Sequence, residues 1–226
     1  MKFTQLNKSS ELVNIIEKGK NVALVSDAGT PGISDPGEIL IKKCIENNIE
    51  IEVLPGATAI TTALVHSGLD TTKFIFIGFL PRDSKNKNSI IESLKDRMET
   101  LIFYESPHRL LATLEFLKDT LGNRKIAICR ELTKLHEEIK REYLEESINF
   151  YKVNSPKGEY VLVLEGKSYK DILEEKKREW ENLDIAEHIK KYIYEKKLSK
   201  KEAIKKVAKD RNLPKSKVYK HSIHIE

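Results

Sequence analysis

Residues 22–37 read VALVSDAGTPGISDPG, and this stretch does most to decide the fold. The apolar, β-forming run 22–25 gives way to twelve residues rich in Gly, Pro, Asp and Ser, and a helical pattern begins near Glu38. A strand, a long turn-rich loop and a helix in this order are typical of a ligand-binding crossover. We therefore predict an α/β fold with a binding loop at 26–37.

The loop 26–37 carries no phosphate-binding motif. It lacks the GK[ST] ending of a Walker loop and the GxGxxG spacing of a dinucleotide-binding turn. Its backbone N–H groups and small side chains suit a carboxylate, an amino acid or a ribose instead. A structural loop closed by Asx-turns at Asp27 and Asp35 is the alternative.

A second Gly-based turn, PGATA at 55–59, follows the apolar run 49–54. We predict strands at 22–25 and 49–54 in a parallel sheet, with both turns at the carboxyl ends of strands, where α/β sheets bind ligands. Ordinary N-capping by Thr58 is the alternative for this turn.

Composition indicates a globular protein. The chain has 226 residues, of which 39% are hydrophobic and 33% charged. No apolar run approaches the roughly 20 residues of a membrane span, and residues 1–13 lack the apolar region of a signal peptide. Cys44 and Cys129 form no CxxC or Cys/His cluster. We predict a cytoplasmic protein with buried free thiols and no metal site.

The net charge of +5 is unevenly distributed. Residues 1–168 hold 23 basic and 24 acidic side chains, whereas residues 169–226 hold 17 basic and 11 acidic ones. The whole positive excess therefore lies in the tail, which favours a polyanionic partner there, although a solvated helical face is the simpler alternative.

Three domains are predicted from the pattern along the chain: 1–79, 80–168 and 169–226. The polar segment 80–88 reads as a linker or loop, and an α/β pattern resumes after it. The tail reads as helices only, with Ser199 and Glu202 forming a capping box, and its last two helices resemble a helix-turn-helix unit.

Six motifs occur in order along the chain: SDAGTPGISDPG, LPGATAITTAL, FIGFLPRD, FYESPHRLLATL, CRELTKLHEE and GEYVLVLEG. In these the chain resembles the S-adenosylmethionine-dependent methyltransferases of the tetrapyrrole-methylase type. It is most similar to the branch that methylates a cytidine ribose 2′-hydroxyl in bacterial 16S ribosomal RNA. The family begins with a further strand and helix that carry a PTPIGN-like loop, so we expect the first cofactor loop to be missing here.

The resemblance implies S-adenosylmethionine as cofactor, 16S rRNA or the small ribosomal subunit as partner, and a homodimer. It implies that the cofactor pocket is lined from four segments of the chain, by Ala28, Gly29, Thr30, Ile33, Thr58, Ala59, Tyr104, Glu105, Leu132 and Thr133.

Methyl transfer to a ribose hydroxyl benefits from a neighbouring base or cation. The candidates are Asp35, His108 and Lys134, and Arg109 is expected to hold a phosphate. Structural roles at the start of a helix for His108 and Arg109, and an Asx-turn for Asp35, are the alternatives.

The tail lysines are expected to contact RNA phosphates, which would make affinity fall steeply with salt. They are Lys200, Lys201, Lys205, Lys206, Lys209, Lys215, Lys217 and Lys220. Two rival functions stay open at this stage. One is methylation of a corrinoid or porphyrin precursor, which has no need of a basic tail, and the other is a non-catalytic RNA-binding remnant.

Overall fold

A computed structural model describes residues 2–27, 29–223 and 225. Ala28, one of the expected cofactor residues, lies outside the described residues. The chain forms two compact units, Met1–Gly166 and Lys167–Glu226. The further division of the first unit near residue 79 stays a prediction.

The first unit begins with three helices and then combines strands with helices. Its elements are α1 (Lys2–Glu17), α2 (Glu38–Glu46), α3 (Ala59–Ser67), β1 (Phe74–Phe79), α4 (Ser84–Leu94), β2 (Thr100–Glu105), α5 (Leu110–Leu121), β3 (Lys125–Arg130), β4 (Glu138–Tyr143), α6 (Leu144–Val153) and β5 (Tyr160–Leu164).

One five-stranded sheet organises this unit, in the order β1-β2-β5-β3-β4. Strands β1 and β2 pair in parallel, and the other three pairs of the described sheet are antiparallel. Strand β5 lies between β2 and β3 and is antiparallel to both. The predicted α/β class is confirmed, although the sheet is mixed rather than parallel.

The core lies on both faces of the sheet because successive strand residues point to opposite sides. In β2, Leu101 and Phe103 pack into the cluster that includes α4, α5 and α6, whereas Ile102 packs into the cluster that includes α3. All three side chains are fully buried. The central strands therefore read as continuous apolar runs, as expected for strands covered on both faces.

The strands predicted at 22–25 and 49–54 are wrong. Among the described residues neither segment is assigned as a strand, and neither belongs to the sheet. Val25, Val53 and Leu54 are each more than two-thirds exposed. A strand exists only through hydrogen bonds to a neighbour, and no described segment pairs with these two, so their β-forming composition has no sheet to join.

The segment 80–88 is more ordered than a linker. Helix α4 already begins at Ser84, because the Asp83 carboxylate caps it by accepting a hydrogen bond from the Asn86 amide at 2.9 Å. Leu80 is buried in the main core. Only residues 80–83 connect β1 to the helix.

The second unit is helical throughout, as predicted. It contains α7 (Tyr169–Arg178), α8 (Ile185–Tyr194), α9 (Lys200–Asp210) and α10 (Lys215–Lys220). The capping box at Ser199 and Glu202 is present. Helices α8 and α10 pack with α9 around Ile189, Val207 and Val218.

Both cysteines are buried and free, as predicted. Cys44 lies in α2 and Cys129 lies in β3.

Candidate active site

The two Gly-based turns lie side by side. The Thr30 amide donates to the Ala57 carbonyl at 3.2 Å. Gly29 has a φ of 75°, and a Cβ there would come within 2.9 Å of that same carbonyl oxygen. Only glycine permits this approach, since a side chain would clash with backbone that is already hydrogen-bonded.

Thr58 caps α3 in the second turn. Its side chain accepts from the Thr61 amide at 3.3 Å, and its carbonyl accepts from the Thr62 hydroxyl at 2.9 Å. Thr58 therefore does cap the helix, as its alternative role required. The neighbouring Ala59 is half-buried at the first turn of the helix.

Tyr104 lies at the end of β2, opposite Phe79 in the register. Its ring makes edge contacts with Phe76 at 5.0 Å and with Phe79 at 5.6 Å between centroids. Burial raises the pKa of the Tyr104 hydroxyl, and the negative charge of Asp35 raises it further. The carboxylate of the first loop is thus close enough to Tyr104 to act on it electrostatically.

Gly78 lies where the first loop contacts the sheet, and the sequence motifs did not predict it as a site residue. A Cβ at Gly78, where φ is 74°, would lie 3.6 Å from the Ser34 hydroxyl. The available signal was an isolated glycine inside an otherwise apolar strand, which indicates close approach of another group to the backbone.

Three of the expected cofactor residues share one packing cluster. Ala59, Tyr104 and Leu132 come from different segments and all pack against the core on the α3 face of the sheet. Ile33 is exposed in the loop. The structure therefore brings the second turn, the end of β2 and the segment after β3 to one side of the sheet.

Glu105 is buried and fully engaged within the protein. Its carboxylate accepts from the Ser106 amide at 2.8 Å and the Thr113 hydroxyl at 2.6 Å, and it pairs with Arg109 at 3.6 Å. Arg109 in turn donates to the Leu80 carbonyl at 2.8 Å. These contacts hold the loop between β2 and α5 against the segment after β1.

The segment after β3 is held in an unusual backbone conformation. Glu131 and Thr133 both have positive φ, at 47° and 65°. The Thr133 amide donates to the Glu137 carboxylate at 2.6 Å, and the Lys134 ammonium pairs with Glu159 at 2.7 Å. Hydrogen bonds from Lys134 to Glu159 and Glu131 raise the pKa of its ammonium group.

The three candidate catalytic residues are not joined by any contact among the described residues. Asp35 lies near Tyr104, Lys134 is ion-paired, and His108 is exposed in the loop before α5.

The tail lysines differ in their surroundings. Lys206 lies 3.9 Å from Asp210, and Lys200 donates to the Ile225 carbonyl. Among the described residues, the remaining six have no carboxylate within ion-pair distance; they are Lys201, Lys205, Lys209, Lys215, Lys217 and Lys220. Their roles in RNA binding, like those of the cofactor residues, stay predictions.

Over residues 2–27, 29–223 and 225, no group of three or more His, Cys, Asp or Glu side chains is placed to hold a metal ion. No helix within that same part of the chain is both long and apolar enough to cross a membrane.

Residues 6–147 match the family described as Tetrapyrrole (Corrin/Porphyrin) Methylases. The chain belongs to this family.

Within the family, the chain is similar to proteins named Ribosomal RNA small subunit methyltransferase I. It is 46% identical to the one from Bacillus subtilis, over 99% of this chain and 77% of that protein. It is 40% identical to the one from Synechocystis, over 97% of this chain and 77% of that protein.

Solved structures agree on the fold. Diphthine synthase aligns with a TM-score of 0.58 at 16% identity, over 73% of this chain and 67% of that one. The methyltransferase CobJ aligns with a TM-score of 0.55 at 21% identity, over 72% of this chain and 71% of that one. The match of residues 6–147 confirms the family expected from the six motifs, and these structures confirm the fold.

Proposed function

We propose that this chain transfers a methyl group from S-adenosylmethionine to a cytidine ribose 2′-hydroxyl of small-subunit ribosomal RNA. The observation that carries the proposal is the 46% identity, along almost the whole chain, with a protein named Ribosomal RNA small subunit methyltransferase I. The corrinoid alternative is supported less well, because the likeness to CobJ is 21% identical and concerns the fold alone.

The residues present fit a sulfonium cofactor, which when bound supplies an electrophilic methyl group on a positively charged sulfur. Carboxylates and aromatic rings attract cations, and Asp35 lies near Tyr104, whose ring contacts those of Phe76 and Phe79. We infer that the cofactor is held by this group together with the small residues of the two turns, Gly29, Thr30, Thr58 and Ala59.

Of the three candidate catalytic residues, Asp35 is the best supported as proton acceptor. It is an exposed carboxylate whose charge already acts on Tyr104. Lys134 suits a different task, because a raised pKa keeps its ammonium protonated at neutral pH. As a cation it would stabilise developing negative charge or bind a phosphate. His108 is exposed and available to contact the substrate.

The basic tail supports RNA as the substrate. Six of its lysines lack a carboxylate partner among the described residues, so their charges are available to phosphates. A small-molecule methylase gains nothing from such a surface.

The test is methylation of small ribosomal subunits prepared from cells that lack this modification. Labelled S-adenosylmethionine is supplied, and the RNA is digested to nucleosides and analysed for 2′-O-methylcytidine. We expect incorporation by the unmodified chain and a loss of about a hundredfold in rate for Asp35→Asn. Asp27→Asn, an exposed carboxylate in the same loop, is the matched control and is expected to retain activity.

Three other results would contradict the proposal in different ways. Methylation of a porphyrin precursor but not of RNA would support the small-molecule rival. RNA binding without S-adenosylmethionine binding would support the non-catalytic remnant. Equal losses in the two aspartate variants would remove Asp35 from the mechanism.

A further inference from the structure

A cavity of about 460 Å³ opens on the second unit between α9 and α10. The described residues that line it are four lysines, an isoleucine and a tyrosine, namely Lys200, Lys201, Lys205, Lys215, Ile204 and Tyr219. We propose that this cavity binds one unpaired nucleotide of RNA, with its base stacked on Tyr219 and its phosphates held by the lysines. The inference rests on the proposed function, which makes RNA the partner of the tail.

Charge points to an anionic ligand in the cavity. Among residues 2–27, 29–223 and 225, no acidic side chain lines it. The nearest carboxylate in sequence, Glu202, is already engaged, because it accepts hydrogen bonds from the Ser199 amide and hydroxyl at 3.0 and 2.6 Å. Lys201, Lys205 and Lys215 have no carboxylate partner among the described residues, whereas Lys206, on the same helix but outside the cavity, lies near Asp210.

The apolar part of the lining points to a base rather than to a phosphate alone. Ile204 is buried and provides apolar surface, and the Tyr219 side chain is 60% exposed. His188 stacks on Trp180 and on Tyr192, but no ring of the described residues contacts Tyr219. An exposed aromatic ring beside uncompensated lysines is the combination that single-stranded nucleic acids recognise, through stacking and backbone contact together.

The shape favours an unpaired nucleotide. The volume lies within the range of roughly 300–1,000 Å³ that suits a small-molecule ligand. A duplex keeps its bases stacked inside and presents phosphates along an extended surface, so only an unpaired base can enter a pocket of this size.

The stacking contact is tested with a fluorescently labelled single-stranded oligoribonucleotide and the full chain, by fluorescence anisotropy. We expect Tyr219→Ala to weaken binding roughly tenfold and Tyr219→Phe to leave it unchanged, because phenylalanine keeps the ring. Tyr194→Ala is the matched control, since Tyr194 is 66% exposed in the same unit but does not line the cavity. The unmodified chain should bind an oligonucleotide of equal charge with abasic positions more weakly than the intact oligonucleotide. The Tyr219→Ala chain should bind the two oligonucleotides equally well.

The phosphate contacts are tested by the salt dependence of the same binding. Lys201→Gln should reduce the slope of log affinity against log salt by about 0.7, the value for one phosphate contact on a single strand. Lys190→Gln removes the same charge from an exposed position outside the cavity and should leave the slope unchanged. Tyr219→Ala should lower affinity at every salt concentration without changing the slope.

Equal affinities for the Tyr219→Ala and Tyr194→Ala chains would overturn the proposal, as would full-strength binding of the abasic oligonucleotide to the unmodified chain. If a duplex or polyglutamate displaces the labelled strand at equal concentration, the cavity binds polyanions in general rather than an unpaired nucleotide. These outcomes are independent of the methylation assay. A chain that shows the expected binding pattern but no methylation refutes the proposed function and leaves the cavity assignment standing.

Discussion

Gly29 shows how much of the site depends on a single missing side chain. Its backbone conformation is one that other residues adopt only with strain, and its neighbour is the carbonyl of the adjoining turn. Both the backbone conformation and the lack of space for a Cβ therefore restrict this position to glycine.

Gly29→Ala tests this arrangement. We expect it to weaken S-adenosylmethionine binding and to lower the melting temperature, because the new Cβ would push the two turns apart. Calorimetric titration and thermal denaturation measure the two effects. Gly19→Ala is the control, since Gly19 has a similar φ of 80° but nothing within 4 Å of an added Cβ. If the two variants behave alike, the space between the turns has no importance.

Glu105 is predicted to line the cofactor pocket, and the structure shows its carboxylate buried within the protein. A motif shows which residue occurs at a position but not which neighbour its side chain meets. The carboxylate oxygens of Glu105 are engaged by Ser106, Thr113 and Arg109. These residues are close in sequence but become neighbours only once the loop and α5 form.

At the scale of elements, the sequence predicts buried strands well and unpaired ones badly. Strands β2 and β3 form where apolar runs are buried on both faces of the sheet. The runs 22–25 and 49–54 have the same composition but no partner in the described structure. Pairing is a property of two segments, so no single window of sequence contains it.

Helices were found where a cap or an apolar stripe marks them. Capping boxes at Asp184 and Ser199 mark the starts of α8 and α9. Helix α7 has a weak sequence signal because YKDILEEKKR is mostly charged, and α6 has one because it directly follows a strand without a turn residue between them.

The N-cap of α3 belongs to this scale. Thr58→Ala should lower the free energy of unfolding by about 1 kcal/mol, because the Thr61 amide loses its acceptor. Urea denaturation measures the change. Thr58→Ser keeps a hydroxyl and should recover most of the loss; equal destabilisation by both variants would show that the methyl group, rather than the cap, matters.

At the scale of the whole molecule, the two units have separate hydrophobic cores, and the second carries its own titratable group. His188 is buried and stacked between Trp180 and Tyr192 at 4.9 and 5.1 Å. Its Nδ1 accepts from the Arg211 guanidinium at 3.2 Å. Burial, and next the positive charge of Arg211, lower its pKa from 6.5 to about 4, although Asp210 partly opposes the shift.

This shift predicts an acid-sensitive second unit. Between pH 6.5 and 4 the unfolded chain binds a proton at His188 that the folded chain does not, so stability falls as the pH is lowered through that window. The expected loss is on the order of 3 kcal/mol. Trp180 is the only tryptophan of the chain, so its fluorescence reports unfolding of this unit. His188→Gln should flatten the dependence, and an unchanged slope in that variant would assign the effect to other groups.

The expected homodimer is also a property of the whole molecule. Light scattering of the purified chain should give twice the chain mass of 26.0 kDa at micromolar concentration. A mass of one chain that stays constant on concentration would contradict the prediction.

The order of strands in the sheet has a consequence for biosynthesis. The strand at the centre, β5, is the last of the five to leave the ribosome, and its neighbours β2 and β3 end 55 and 30 residues before it begins. Until Tyr160–Leu164 emerges, both neighbours expose an open edge to other nascent chains. The first unit therefore closes only after nearly all of it has been synthesised, and any delay in translation shortly before residue 160 prolongs its most aggregation-prone state.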